Sequence, residues 1–170
     1  AGEDGLRVRQ LADLLSIPPD DARVWVYQCN RSFTEDEQKQ LHTQLEEFIN
    51  HWMVHGKDLL SSFELRYNRF IVIGALPDAH GVGGCSLDAL AHFIQELEVQ
   101  YNVTLLDRMN VSYRQGEHIA YKNLADFKKM VKEKAVSAQT IVFNNLVNTK
   151  IEYEENWEVP LEDSWHNRFL

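Results

Sequence analysis

Cys85 sits where thiol chemistry is simplest to arrange. It closes the run Gly81-Val-Gly-Gly-Cys85 and stands directly before Ser86 and the apolar-striped stretch Leu87–Tyr101. A helix N-terminus lowers a thiol's pKa and favours the nucleophilic thiolate, and Ser86 has the side chain of an N-cap. His80 and His92 flank the run as candidate bases, so Cys85, His80 and His92 form a possible Cys/His nucleophilic set for a thiol-dependent enzyme or redox sensor. The same loop offers free amides to an anion. On that reading Gly83, Gly84, Ser86 and Asp88 bind a ligand, a nucleotide or phosphometabolite held without a P-loop. Packing also accounts for all of them, with Cys85 as a small buried residue, Ser86 as an ordinary cap and Asp88 complementing the helix dipole.

Other chemistry is weaker in the pattern. The glycine run lacks the lysine of a Walker loop and the glycine spacing of a dinucleotide fingerprint, which argues against P-loop hydrolysis. His51 and His55 lie four apart on one helix face, a two-ligand pattern that end-of-helix packing around Trp52 explains as well. Neither a metal nor a cofactor is therefore expected. Arg66, Arg69, Arg114 and the lysines of 128–134 interleave with Tyr67, Phe70, Tyr113 and Tyr121, a combination able to stack and pair with single-stranded RNA on an open sheet face. A net charge of −9 opposes nucleic acid and anionic membrane alike. Asn144, Asn145, Asn148 and Lys150 make a polar face beside Trp157 and Asp163-Ser-Trp-His166. Asn144 and Asn148 are its candidate ligand-binding positions.

The elements that position these residues follow from periodicity. The 170 residues suit one domain with a real core. No apolar run reaches the roughly 20 residues of a membrane span. The first fifteen residues show no signal-peptide pattern, so a cytoplasmic location is expected, with Cys29 and Cys85 reduced. Residues 1–16 read as an N-terminal extension, helical through Leu6, Leu11, Leu14 and Leu15 and broken by Pro18-Pro19. Residues 17–170 read as the domain.

Arg23–Asn30 alternates as a central strand. Thr34-Glu-Asp-Glu37 is a capping box opening a helix of about twenty residues through Leu41, Leu45, Phe48, Ile49 and Trp52, with Gly56 as its stop. Ser62–Tyr67 and Phe70–Leu76 read as a hairpin turning at Asn68-Arg69, and a helix follows over 86–101. Val111–Gln115 and Glu117–Tyr121 hinge at Gly116. Asn123 caps a further helix and Ser137 opens one over 137–155. The result is an α+β fold: a mostly antiparallel sheet with ferredoxin-like β-α-β-β-α-β order plus C-terminal helices. The acidic tail carries Trp157, Trp165 and Phe169, enough aromatic area to dock on the body or on a protein partner.

Several segments carry a resemblance. Arg23-Val-Trp-Val-Tyr-Gln28, Phe63–Phe70, Gly84-Cys-Ser-Leu-Asp88, Asp107-Arg-Met-Asn110, Val142–Lys150 and Asp163-Ser-Trp-His166 resemble a small bacterial family labelled "ABC transporter ATPase". The resemblance covers about 17 to 170 and implies a recurring domain without a mechanism. Together these features predict a binding or adaptor domain for a protein or a small anionic ligand, with the Cys85 enzyme or sensor as the alternative.

Overall fold

The computed structural model describes residues 9–10, 22–54, 57–58, 60–76 and 82–170. His55, Gly56, His80, Gly81 and most of the N-terminal extension lie outside the described residues. In chain order the elements are β1 (Arg9–Gln10), β2 (Arg23–Gln28), α1 (Glu35–His51), β3 (Met53–Val54), β4 (Lys57–Asp58), β5 (Leu60–Arg66), β6 (Phe70–Leu76) and α2 (Gly84–Tyr101). There follow β7 (Val111–Gln115), β8 (His118–Lys122), α3 (Leu124–Lys132), β9 (Ile141–Phe143), α4 (Lys150–Asn156) and β10 (Glu158–Pro160), then 3-10 turns at Leu161–Asp163 and Trp165–Phe169.

The chain is α+β, and its strands form two four-stranded sheets, ordered β1-β5-β6-β2 and β10-β9-β7-β8, with β3 and β4 as a separate pair. Apart from the parallel contact of β1 with β5, the pairings are antiparallel. The expected ferredoxin-like order needs the Val111 strand in the same sheet as β2, β5 and β6. It pairs instead with β8 and β9 in the second sheet. Within the expected N-terminal helix, Arg9–Gln10 is extended.

Alternation on β2 divides the first sheet's two faces. Trp25, Tyr27 and Cys29 pack with Leu41, Leu45 and Ile49 of α1 and with Leu90, Ile94 and Leu97 of α2. Val24 and Val26 pack the other way, with Phe70, Val72, Phe143, Tyr153 and Trp157. The first sheet is thus covered on both sides, which suits the unbroken apolar run of β6. A third cluster joins Val111, Tyr113 and Val142 to Phe127 and Val131 of α3 and to Leu161. Each large side chain buried this fully contributes about 1.5–3 kcal/mol of transfer free energy.

Local chemistry sets the ends of the elements. Both halves of the Thr34/Glu37 capping box form, and Arg31 grips the same Glu37 carboxylate at 2.7 Å. Helix α1 ends at His51 rather than at Gly56, because Trp52 turns extended at φ −76°, ψ 123°. Asn123 caps α3 by accepting from Asp126 N. The helix expected over 137–155 is replaced by a turn, β9, a second turn and the short α4. Its spacing of apolar residues at 142, 143, 146 and 147 imitates a helix. Ile141 and Val142 are β-branched, however, and the Asn144 side chain accepts Leu146 N at 3.2 Å, closing a local turn that competes with helix.

The C-terminal segment packs inward. Trp157 is 3% exposed and His166 1%. His166 lies against Phe127 and Trp165, with Nδ1 2.6 Å from Ser164 Oγ. Burial, aided by Arg168, pushes its pKa from 6.5 down to about 4, so the folded protein holds it neutral. Because the folded pKa is depressed, the unfolded chain takes up the proton first as pH falls. The stability it contributes is whole above about 6.5 and is lost progressively toward about 4. Urea unfolding across that window should show a loss of up to about 3 kcal/mol from this residue, and His166→Gln should flatten the slope between the two pKa values. An unchanged slope in the variant would show that His166 is not the group responsible.

Candidate functional site

The glycine loop does not assemble the chemistry its composition suggests. Helix α2 begins at Gly84, with Gly83 as N-cap and no side-chain cap bond, so Ser86 lies inside the first turn rather than capping it. Ser86 is buried and its carbonyl accepts Trp52 Nε1 at 2.9 Å. Gly83 has φ −76°, an ordinary value, and a Cβ at Gly83 or Gly84 would meet nothing within 4 Å. Neither glycine is required by the backbone at these two positions. Asp88 is exposed on the second turn.

Cys85 is exposed, contrary to a packing role. Of its two proposed bases, His80 lies outside the described residues and His92 is engaged with Glu96 at 3.0 Å, two turns along the helix. The histidine that shares a depression with Cys85 is His51, in a space of about 290 Å³ also lined by Phe48, Trp52, Ser86 and Ala89. His51 Nδ1 is 2.8 Å from Glu47 O. Among the described residues no group of three His, Cys, Asp or Glu side chains is placed to hold a metal ion.

The asparagine segment also resolves into structure. Asn144 N donates to Trp157 O, and Asn148 O accepts from Val24 N, tying the segment to β10 and β2. Asn145, buried at 2% exposure, donates to Gln28 Oε1 and accepts from Trp157 Nε1. Asn144 and Asn148 therefore hold the chain together at backbone atoms. They do not converge with Gly83, Gly84, Ser86 and Asp88, which lie at the start of α2.

The arginines outlined as a possible RNA face are arranged differently. Phe70 and Tyr113 are buried and Tyr121 is half-buried, which leaves Tyr67 as the exposed ring of the four. The β5–β6 turn runs through Tyr67 and Asn68, at φ 53° and 59°. A left-handed tyrosine costs roughly 1–2 kcal/mol. Its ring is stacked on Trp157 and lies beneath the guanidinia of Arg66 and Arg114, at 5.1 and 4.9 Å from its centroid. Its hydroxyl donates to Glu158, which also accepts from Arg114 Nε at 2.6 Å. The Glu158 bond holds the Arg114 pKa above its usual range.

Beside this stack lies a cleft of about 300 Å³ between the two sheets, lined by Ser32, Tyr67, Asn68, Arg69, Arg114, Glu117, His118 and Ile119. Three segments build it. Cys29 N donates to Arg69 O at 2.9 Å and Phe33 N to Asn68 O at 2.8 Å, fixing the 29–33 loop to the β5–β6 turn. Arg69 Nη1 donates to Ile119 O at 2.6 Å, fixing that turn to β8.

Arg69 is the unusual member. It is 7% exposed, forms no ion pair with any described carboxylate, and its Nε is buried with no hydrogen-bond acceptor. Burial pulls its pKa below the ordinary arginine value. A buried guanidinium without a counter-charge carries a desolvation cost of several kcal/mol, which no carboxylate among the described residues offsets.

No protein-family model, curated protein or solved structure matches the chain. The motif resemblance therefore rests on the motifs alone. Sequence reasoning grouped Arg69 with Arg66 and Arg114, but His118 and Ser32 had no signal, since only the pairing of two distant hairpins brings them near. No helix among the described residues is long and apolar enough to cross a membrane.

Thiol exposure separates the two cysteines. Cys29 is fully buried, and burial raises its pKa, whereas Cys85 is open to reagent. Iodoacetamide at neutral pH should modify Cys85 alone in the folded protein and both thiols in urea, as read by mass spectrometry. Cys85→Ser should change stability by less than about 0.5 kcal/mol. Comparable labelling of Cys29 in the folded state would contradict the packing described here.

Proposed function

We propose that this chain is a binding module for a small ligand, with the cleft between its two sheets as the binding site. The observation that supports it most is the convergence of polar groups from three separate segments on one cavity, with the Arg69 guanidinium buried at its wall. Ligand sites are concave spaces of roughly 300–1,000 Å³ carrying a few fixed polar groups, and the cleft is at the small end of that range. A turnover enzyme has less support. Among the described residues no nucleophile, base and orienting group come within hydrogen-bond reach of one another on an open surface; the Ser164–His166 contact is buried. A protein partner at the tail has less aromatic surface to meet than the sequence offers, because Trp157 packs on Phe70, Phe143 and Tyr153.

Probe mapping tests the site. In a ¹H–¹⁵N spectrum titrated separately with isopropanol, propionamide and propionate, the largest amide shifts should fall on Ser32, Asn68, Arg69, His118 and Ile119. Shifts concentrated instead on Phe48, Trp52 and Ala89 would move the site to the depression beside Cys85 and overturn the proposal.

A further inference from the structure

Within that binding reading, the charge inventory of the cleft narrows the ligand class. Arg114 is matched by Glu158 at 2.6 Å, and Arg66 lies 3.8 Å from Glu64 while donating to Tyr153 at 3.0 Å. Glu117 also lines the cleft and is exposed, as is His118. Arg69 is left as the one buried cation of the cleft without a carboxylate among the described residues. Its Nη1 is occupied by Ile119 O, while Nε has no acceptor.

A guanidinium whose Nε lacks an acceptor has hydrogen-bonding capacity left on its side edge, the edge that meets two oxygens of one carboxylate in a paired, planar contact. One uncompensated positive charge calls for one negative charge. A phosphate dianion would exceed it and would face the Glu117 carboxylate in the cleft lining.

We infer that the cleft recognises a small organic acid through a single carboxylate held by Arg69. The carboxylate supplies the acceptor that Nε lacks and the charge that the site lacks. The remainder of the acid lies toward Asn68, Ser32 and Ile119, where the wall offers two polar side chains and an aliphatic one.

The test compares isosteres at matched ionic strength in a buffer free of oxyanions. Propionate should bind at least tenfold more tightly than neutral propionamide and should shift the Arg69 Nε–H resonance. It should raise the melting temperature in proportion to the logarithm of its concentration once the site is mostly filled. Inorganic phosphate should bind more weakly than propionate. In Arg69→Gln the preference for propionate over propionamide should disappear.

Equal affinity of propionate and propionamide for the wild-type protein overturns the carboxylate inference, and this comparison needs no variant to fold. Tighter binding of phosphate overturns the single-charge argument. If neutral probes still shift the cleft amides in either case, the binding reading stands and only the ligand class falls. If no probe shifts them, both fall.

Discussion

The arrangement of the two sheets depends on one buried amide. Gln28, at the end of β2 and 1% exposed, sends its Nε2 protons to Asp107 O at 3.1 Å and to Asn110 O, while its Oε1 accepts from Ser112 Oγ at 2.7 Å and Asn145 Nδ2 at 2.8 Å. Asn145 in turn accepts from Trp157 Nε1 at 2.9 Å. Every hydrogen-bonding position of the Gln28 amide is filled, and its partners come from the α2–β7 connection, from β7 and from the turn after β9. A fully satisfied polar network in a low-dielectric interior tolerates little displacement, since each group left alone costs about 1–3 kcal/mol. The amide therefore fixes where the second sheet stands against the first, and with it the cleft between β8 and the β5–β6 turn.

Arg69 presents the opposite case in the same interior. Gln28 has a partner at each position, whereas Arg69 has one carbonyl and a buried Nε with none. Natural proteins keep such groups where binding needs them, at some cost in stability. Tyr67, held in a left-handed conformation by its stack with Trp157 and Arg114, adds a second local cost at the same turn. Both sit on the segment that borders the cleft.

Much of the fold was legible from period and capping. The β2 alternation, the Thr34/Glu37 box, the hairpin before Leu76 and the Asn123 cap follow from local rules, and the structure contains each of them. The structure departs from the local pattern where long-range pairing competes with it. Residues 142–147 carry a helix-like apolar spacing, yet Val142 pairs with Val159 and Tyr113, partners that no local rule brings forward. Division of the strands into two sheets was hidden for the same reason. At the site, glycine-rich composition pointed to the start of α2, where Gly83 adopts ordinary angles. The asparagines stood out because they are structurally demanding. Arg69 was visible only as one of several arginines, because its burial and its missing counter-charge exist only after the hairpins pack.

The central claim is that Arg69 is kept for a ligand, its one bond to Ile119 O being worth less to the fold than the burial of its charge costs. Its most direct test is the unfolding free energy of ligand-free Arg69→Met, measured by urea titration beside the wild type. Methionine keeps much of the side chain's length and removes the uncompensated charge. If Arg69 is held for binding, the variant should be as stable as the wild type or more stable, as when buried charges give way to apolar groups. A loss of more than about 1 kcal/mol would show that Arg69 supports the fold through contacts worth more than its desolvation costs, and the account of the cleft would be wrong.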